Sequence, residues 1–139
     1  MRRIYLDVDG VLLGTSGGNT VLADHASAFI EYILGQFDVY WLTTHCQGDA
    51  AAVLTYLTPY TPPALIRKLQ AVRPTSFQVM KTEALDGDFY WLEDSPLSIE
   101  VADLQRRGLG DRWIEVNTRL RRDDLLFAMK ELQTICRQS

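Results

Sequence analysis

The sequence DVDGVL at residues 7–12 follows a short apolar run, IYL, at residues 4–6. The apolar run predicts a buried strand over residues 4–8, and the Asp-Gly pair predicts a turn after it. Because residues i and i+2 of an extended chain project to the same side, Asp7 and Asp9 are expected to face one small volume. Two carboxylates so placed perturb each other's protonation or share a cation. Taken alone, the stretch is equally compatible with a plain turn.

The bulk composition is typical of a single globular domain. The chain has 139 residues, of which 47% are hydrophobic and 23% charged, and this predicts one domain over residues 1–139. A net charge of −4 argues against a mainly electrostatic nucleic-acid binder, although the arginines at 119, 121 and 122, or those at 106 and 107, leave room for a local basic patch. No run has the apolar length of a membrane span, and the two cysteines have neither disulfide nor zinc spacing. We therefore expect a cytoplasmic protein with no membrane partner.

Apolar runs alternate with helical spacing along the chain, the pattern of a parallel sheet with crossover helices. Further strands are predicted at residues 39–42, 77–80, 89–92 and 113–116. Helices are predicted at residues 24–34, with Asp24 as the N-cap, and at 49–57, 64–72, 97–107 and 123–136. The three prolines of residues 58–63 predict a loop. The fold class is therefore α/β, a three-layer Rossmann-like parallel sheet with helices on both faces.

Polar side chains follow three of the predicted strands. They are Asp7 and Asp9 at the end of the first strand, Thr43 and Thr44 at the end of the second, and Glu93 and Asp94 at the end of the strand at 89–92. In an open parallel sheet the ligand site lies at the carboxyl ends of the strands, so these side chains are expected to converge on one rim. Several carboxylates at one point repel each other unless a cation is bound, and a set of oxygen ligands suits Mg²⁺.

Two further residues suit a phosphate group at this rim. A hydroxyl at Thr43 and the amides at the start of the next helix suit phosphate oxygens. The ammonium group of Lys81 can neutralise a phosphoryl group or a carboxylate. Each residue alone has an ordinary explanation, because threonine is common in strands and lysine on surfaces. Their order along the chain, together with the acidic pairs, favours a site for phosphate and magnesium.

The chain resembles the haloacid dehalogenase superfamily of phosphohydrolases over nearly its whole length. The resemblance rests on DVDGVL at 7–12, VYWLT at 39–43, Lys81 and WLEDSP at 91–96. It implies a magnesium-dependent phosphomonoesterase that acts through an aspartyl-phosphate intermediate. The alternatives on the same site are a phosphotransferase and a nucleic-acid end-processing phosphatase. A non-catalytic binding module that keeps the fold is the alternative of another class.

The resemblance implies a role for each matching residue. Asp7 is expected to be the nucleophile, and Asp9 to protonate the leaving group and then activate water. Thr43 is expected to hold the phosphoryl oxygens, with Thr44 as the competing choice, and Lys81 to stabilise the nucleophile and the transferring group. The implied magnesium ligands are Asp7, the backbone carbonyl of Asp9, Asp94 and, directly or through a water, Glu93.

Two features differ from the commoner pattern of the family. The last motif is Glu-Asp rather than Asp-Asp, a variant that the family uses. Only residues 13–23 and 58–75 stand where relatives carry a cap domain, so the chain is expected to be capless. In the family an open site accompanies macromolecular substrates or a lid from another subunit. The expected partner is therefore a phosphorylated small molecule or macromolecule, with nucleic acid and a homo-oligomer both compatible.

Three other features are interpreted more simply. The glycine-rich residues 14–19 are expected to form either a mobile flap that gates the site or a plain turn. His45 and Cys46 follow the threonine pair and are expected to border the pocket, where each has at most a minor contact with substrate. Trp41 and Trp91 lie inside predicted strands and are expected to belong to the core.

Overall fold

The computed structural model describes residues 1–138, and within them the chain forms six strands. They are β1 (Arg3–Leu6), β2 (Leu13–Ser16), β3 (Asn19–Leu22), β4 (Asp38–Trp41), β5 (Phe89–Glu93) and β6 (Trp113–Glu115). Four of them form a parallel sheet in the order β4–β1–β5–β6, and β2 and β3 form an antiparallel hairpin. In this sheet Leu6 of β1 lies between Trp41 and Leu92. The end of β1 is therefore flanked on both sides by strands that end at the same level.

The helices lie between the strands in sequence. They are α1 (Ala26–Gln36), α2 (Ala50–Leu57), α3 (Pro63–Leu69), α4 (Ser98–Arg106) and α5 (Asp124–Arg137). Short 3₁₀ turns occur at Thr58–Tyr60, Lys81–Ala84 and Gly110–Arg112. Over residues 1–138 no helix has the length and apolar character needed to cross a membrane.

Hydrophobic clusters on both faces of the sheet hold the helices against it. Ile4 and Leu6 of β1 belong to the larger cluster, which contains the buried faces of α1, α2, α3 and α5. Tyr5 between them belongs to the smaller cluster, which contains the buried face of α4. Trp41 and Trp91 are fully buried, which confirms the prediction that they are core residues. Burial of a side chain such as Ile4 or Leu6 contributes about 1.5–3 kcal/mol. The parallel sheet with helices packed on both faces confirms the three-layer α/β prediction.

The strand predicted at residues 77–80 is wrong. The backbone N–H groups of residues 78–80 all donate to the carboxylate of Glu83, at N···O distances of 3.1, 2.9 and 2.7 Å. A strand needs those donors for its ladder, and here a local carboxylate takes them. The segment is therefore a loop that leads into the 3₁₀ turn starting at Lys81.

The predicted N-cap of the first helix is also wrong. The residue before α1 is His25, which has a left-handed backbone conformation with φ of 68° and makes no side-chain cap. The carboxylate of Asp24 instead accepts from Nε of Arg122 at 3.2 Å. The helix predicted at residues 49–57 is confirmed, and Oδ1 of Asp49 caps it by accepting from the backbone N–H of Ala51 at 3.0 Å.

Candidate active site

Three carboxylates meet at the carboxyl end of the sheet. Asp7 follows β1, Glu93 ends β5, and Asp94 is the next residue. One oxygen of each lies within 4.8 Å of the oxygens of the other two. Asp7 and Glu93 are buried and Asp94 is half-buried, so their charges are poorly screened by water. The structure thus brings together three of the predicted metal ligands.

Lys81 lies against this acidic group. Its Nζ is 3.2 Å from Oδ2 of Asp7 and 2.8 Å from Oε2 of Glu93, and the side chain is 15% exposed. Burial pulls the pKa of Lys81 down, but the neighbouring carboxylates of Asp7 and Glu93 outweigh it and raise the pKa above its ordinary value. The ammonium group is therefore charged and compensates part of the negative charge.

A buried carboxylate, Glu100, fixes the position of Lys81. Its Oε2 accepts from the backbone N–H of Lys81 at 2.6 Å, and its Oε1 accepts from the backbone N–H of Leu97 at 2.8 Å. The side chain is 3% exposed. Glu100 thus joins the 3₁₀ turn to the start of α4. Glu100 lies three residues after Leu97, the spacing of a capping box, so its bond at the start of α4 is predictable from the sequence. Its bond to the backbone of Lys81 is not.

Gly10 brings the backbone after the first motif close to Asp94. Its φ is +80°, a backbone conformation that is unfavourable for residues with a Cβ atom. A Cβ atom at this position would lie 2.6 Å from Cγ of Asp94 and would also collide with its Oδ2. The backbone N–H of Thr118 donates to the carbonyl of Gly10 at 2.8 Å and holds the turn. Glycine is therefore required where the turn packs against the third carboxylate.

Asp9 has a different environment from Asp7. Its Oδ1 accepts from the hydroxyl of Tyr56 at 2.7 Å, and its Oδ2 lies 2.8 Å from Nε2 of His45. Partial burial favours the neutral acid, but the hydrogen bonds with His45 and Tyr56 outweigh it and lower the pKa of Asp9. The hydrogen bond between Tyr56 and Asp9 is also the main reason that the pKa of Tyr56 rises to about 12. The two aspartates of DVDG therefore have separate partners.

The two threonines after β4 are placed differently. Thr43 is buried, and its Oγ1 accepts from the backbone N–H of His45 at 3.3 Å. Thr44 is exposed and lines a cleft of about 220 Å³ that also contacts Lys81 and Glu93. The Thr43 hydroxyl thus bonds to the loop that carries His45, whereas Thr44 lines the cleft beside Lys81 and Glu93.

The arginines near the rim are paired with acidic groups. Arg119 has Nη1 3.6 Å from Oδ2 of Asp94, and Arg121 has Nη2 2.9 Å from Oδ2 of Asp124. Arg122 pairs with Asp24, as described above. At the other candidate patch, Arg106 and Arg107 both pair with a carboxylate of α4. These arginines are therefore paired with carboxylates, and Arg119 is the one that contacts the acidic cluster.

Residues 45, 56 and 100 contribute more to the site than the sequence indicated. The sequence predicts at most a substrate contact for His45, whereas in the structure its Nε2 lies 2.8 Å from Oδ2 of Asp9. Tyr56 was not identified, because a tyrosine near the apolar face of a helix has the pattern of a core residue. No local signal shows that its hydroxyl reaches a loop 47 positions away.

Glu93 holds its proton more tightly than an ordinary carboxyl group. Burial, and then the charge of Asp7 beside it, raise the pKa of Glu93 to about 9, while Lys81 opposes the shift. One ammonium group cannot neutralise two buried carboxylates, so the second favours the protonated form.

We expect the metal-free protein to lose stability as the pH rises from 4.5 to about 9. Over this range folded Glu93 keeps a proton that the unfolded chain has released, so the free energy of unfolding falls with pH. Chemical denaturation in a chelator across this range measures the slope, and Glu93→Gln should flatten it. Equal slopes in the two proteins would contradict the shift.

The donor set suits a hard divalent cation. Asp7, Glu93 and Asp94 offer only oxygen atoms, as Mg²⁺ prefers. Opposite ligands at about 2.1 Å from Mg²⁺ stand about 4.2 Å apart, close to the 4.8 Å within which these oxygens lie. The residues present therefore fit the metal that the sequence predicted.

Comparisons with protein-family models, with curated proteins and with solved structures find no match to this chain. Function is therefore inferred from the side chains at the carboxyl end of the sheet.

Proposed function

We propose that the protein is a magnesium-dependent phosphohydrolase that hydrolyses phosphate monoesters through an aspartyl-phosphate on Asp7. The observation that carries this proposal is the setting of Asp7, a buried carboxylate 3.2 Å from a charged lysine and grouped with Glu93 and Asp94. A second carboxylate, Asp9, is held two residues away by different partners. A nucleophile, a cation-binding group and an acid or base are thus available together.

In the first step, a carboxylate oxygen of Asp7 forms a bond to phosphorus. The bond between phosphorus and the leaving-group oxygen breaks. That oxygen keeps both electrons of the broken bond and accepts a proton from Asp9. The negative phosphoryl group beside Asp9 favours its protonated form on binding. Lys81 compensates the charge that would otherwise repel an anionic nucleophile from an anionic phosphate. Bound Mg²⁺ would supply further charge compensation at the phosphoryl oxygens.

In the second step, water forms a bond to the same phosphorus atom. Asp9, now ionised, accepts a proton from that water, and the bond between phosphorus and Asp7 breaks with its electrons returning to the carboxylate. The hydrogen bonds from His45 and Tyr56 favour this ionised form of Asp9. In this proposal the hydroxyls of Thr43 and Thr44 are the candidates for binding the phosphoryl oxygens.

The proposed setting is a cytoplasm, where the free thiols of Cys46 and Cys136 would stay reduced. In this proposal, the site is reached without a cap domain, so small phosphoesters and larger substrates, including phosphorylated nucleic-acid ends, belong to the candidate substrates. A homo-oligomer that lends a lid is compatible with the same site.

We expect phosphate release from a panel of phosphomonoesters to require Mg²⁺. The panel contains 4-nitrophenyl phosphate, alkyl phosphates and phosphorylated oligonucleotides. Asp94→Asn removes the charge of one proposed Mg²⁺ ligand. It should therefore raise the Mg²⁺ concentration needed for half-maximal activity and reduce the rise in melting temperature that Mg²⁺ causes. That rise corresponds to about 2.7 kcal/mol when Mg²⁺ is at 100 times its dissociation constant.

Asp111→Asn is the matched control, because Asp111 is 82% exposed and contacts Arg112 on a 3₁₀ turn. It should behave as the wild type. Transfer of phosphate to an added alcohol at the expense of hydrolysis would favour the phosphotransferase. A melting shift with Mg²⁺ but no phosphate release from any ester would favour the binding module.

A further inference from the structure

The carboxyl group of Asp9 is held from two elements at once. Tyr56 on α2 donates its hydroxyl to Oδ1 at 2.7 Å, and His45 in the loop after β4 has Nε2 at 2.8 Å from Oδ2. The Asp9 side chain is 33% exposed, so packing alone does not fix its rotation. With one bond on each oxygen, both ends of the carboxyl group have a defined position.

The two groups that hold Asp9 also hold each other. The rings of His45 and Tyr56 are stacked, with centroids 3.8 Å apart and planes 16° apart. Tyr60 packs edge-on against Tyr56 at 6.4 Å. The backbone N–H of His45 donates to Oγ1 of buried Thr43 at 3.3 Å, which anchors the loop. The pair is therefore a rigid support, since neither ring turns without losing the stack.

Among residues 1–138, the side chains that bond to the Asp9 carboxyl group are His45 and Tyr56. Lys81, the cation nearest the acidic cluster, bonds to Asp7 and Glu93. Arg119 bonds to Asp94 and is half exposed. Each oxygen of Asp9 keeps a second lone pair for an incoming group, because a carboxyl oxygen accepts more than one hydrogen bond.

We propose that His45 and Tyr56 are positioning residues, which hold the Asp9 carboxyl group in the orientation needed for proton transfer to the leaving group. The proposal rests on the function proposed above and names residues that act on the acid rather than on the phosphate. Proton transfer depends steeply on alignment, so a carboxyl group that rotates freely is aligned for only a fraction of the time.

The dependence of kcat on the leaving group distinguishes a positioning role from a merely structural one, because loss of structure would lower kcat for all esters alike. An alkyl oxygen leaves as a strongly basic anion unless it is protonated, whereas 4-nitrophenolate leaves readily without a proton. Loss of Asp9 alignment should therefore lower kcat for an alkyl phosphate much more than for 4-nitrophenyl phosphate. KM should change little for either ester, because neither His45 nor Tyr56 is proposed to bind phosphate.

The variants are Tyr56→Phe, His45→Ala, His45→Gln and the double variant Tyr56→Phe/His45→Ala, each with magnesium. We expect kcat for the best alkyl phosphate to fall about 10-fold in Tyr56→Phe and about 10²-fold in the double variant. For 4-nitrophenyl phosphate the fall should stay within about 3-fold. His45→Gln, which keeps an N–H donor, should recover part of the activity lost in His45→Ala.

Tyr60→Phe and His25→Gln are the matched controls. Tyr60 belongs to the same aromatic group without a bond to Asp9, and His25 pairs with Asp123 at 2.9 Å. Both should match the wild type on both esters. An equal fall on the two esters, or no fall, in variants with wild-type melting temperature would overturn the positioning role while leaving the phosphatase intact. A wild type inactive on every ester would overturn both proposals.

Discussion

Replacing Asp7 by asparagine is expected to remove phosphate release at every magnesium concentration, with a loss of at least about 10³-fold. An amide oxygen is a poor nucleophile and cannot return electrons as a carboxylate, so neither step of the proposed reaction proceeds. Oδ1 of Asp7 accepts from the backbone N–H of Val8 at 2.8 Å, and asparagine keeps that acceptor. The variant should therefore fold. Phosphate release and the melting temperature, measured on the same preparation, check both statements.

Asp7→Glu separates charge from position. It keeps the carboxylate but moves it by one methylene, and we expect its activity to be nearly as low as that of Asp7→Asn. Acid quenching of the wild type during turnover should yield a peptide that contains Asp7 and carries one phosphoryl group. Residual activity of Asp7→Asn within tenfold of the wild type would contradict the nucleophile role.

The acidic cluster followed from the sequence because sheet topology alone brings it together. Asp7 and the Glu93–Asp94 pair end neighbouring parallel strands, and the strand ends of such a sheet lie at one level. Each of these residues adjoins an apolar run that marks its strand. This inference depends only on where the strands end and not on side-chain contacts, so it holds even though the strands are short.

The supports of the site did not follow from the sequence, because they depend on contacts between distant segments. Lys81 was identified, but its position depends on Glu100, which holds its backbone from α4. Asp9 was identified, but its partners come from a loop and a helix. The glycines of residues 14–19 predict either a flap or a plain turn, and they do not show that the four-residue strands β2 and β3 pair as an antiparallel hairpin.

The wrong strand at residues 77–80 shows how a local carboxylate changes the outcome. Its residues have the composition of a strand, but Glu83 lies close enough to take three consecutive backbone donors. A strand-like composition favours an extended backbone, but the hydrogen-bond partners of the backbone N–H groups decide whether a strand forms. The segment is therefore a loop, and it leads into the 3₁₀ turn from which Lys81 reaches the acidic cluster.

Lys81→Met is expected to lower the free energy of unfolding of the metal-free protein by about 3 kcal/mol near neutral pH. The substitution keeps most of the side-chain volume but leaves Asp7 and Glu93 buried without their cation. Added Mg²⁺ should restore part of the stability by supplying positive charge to the same oxygens. Chemical denaturation with and without Mg²⁺ measures each effect.

Lys68→Met is the matched control, since Lys68 lies 3.5 Å from Glu31 in an exposed pair. A surface pair of this kind contributes about 0–1 kcal/mol, so the control should stay close to the wild type. Activity of Lys81→Met should fall about 10²- to 10³-fold even when Mg²⁺ has restored the fold, because the charge near the phosphoryl group is still missing. Equal destabilisation of the two lysine variants would show that the buried carboxylates do not depend on Lys81. Full activity in Lys81→Met would remove the lysine from the proposed reaction.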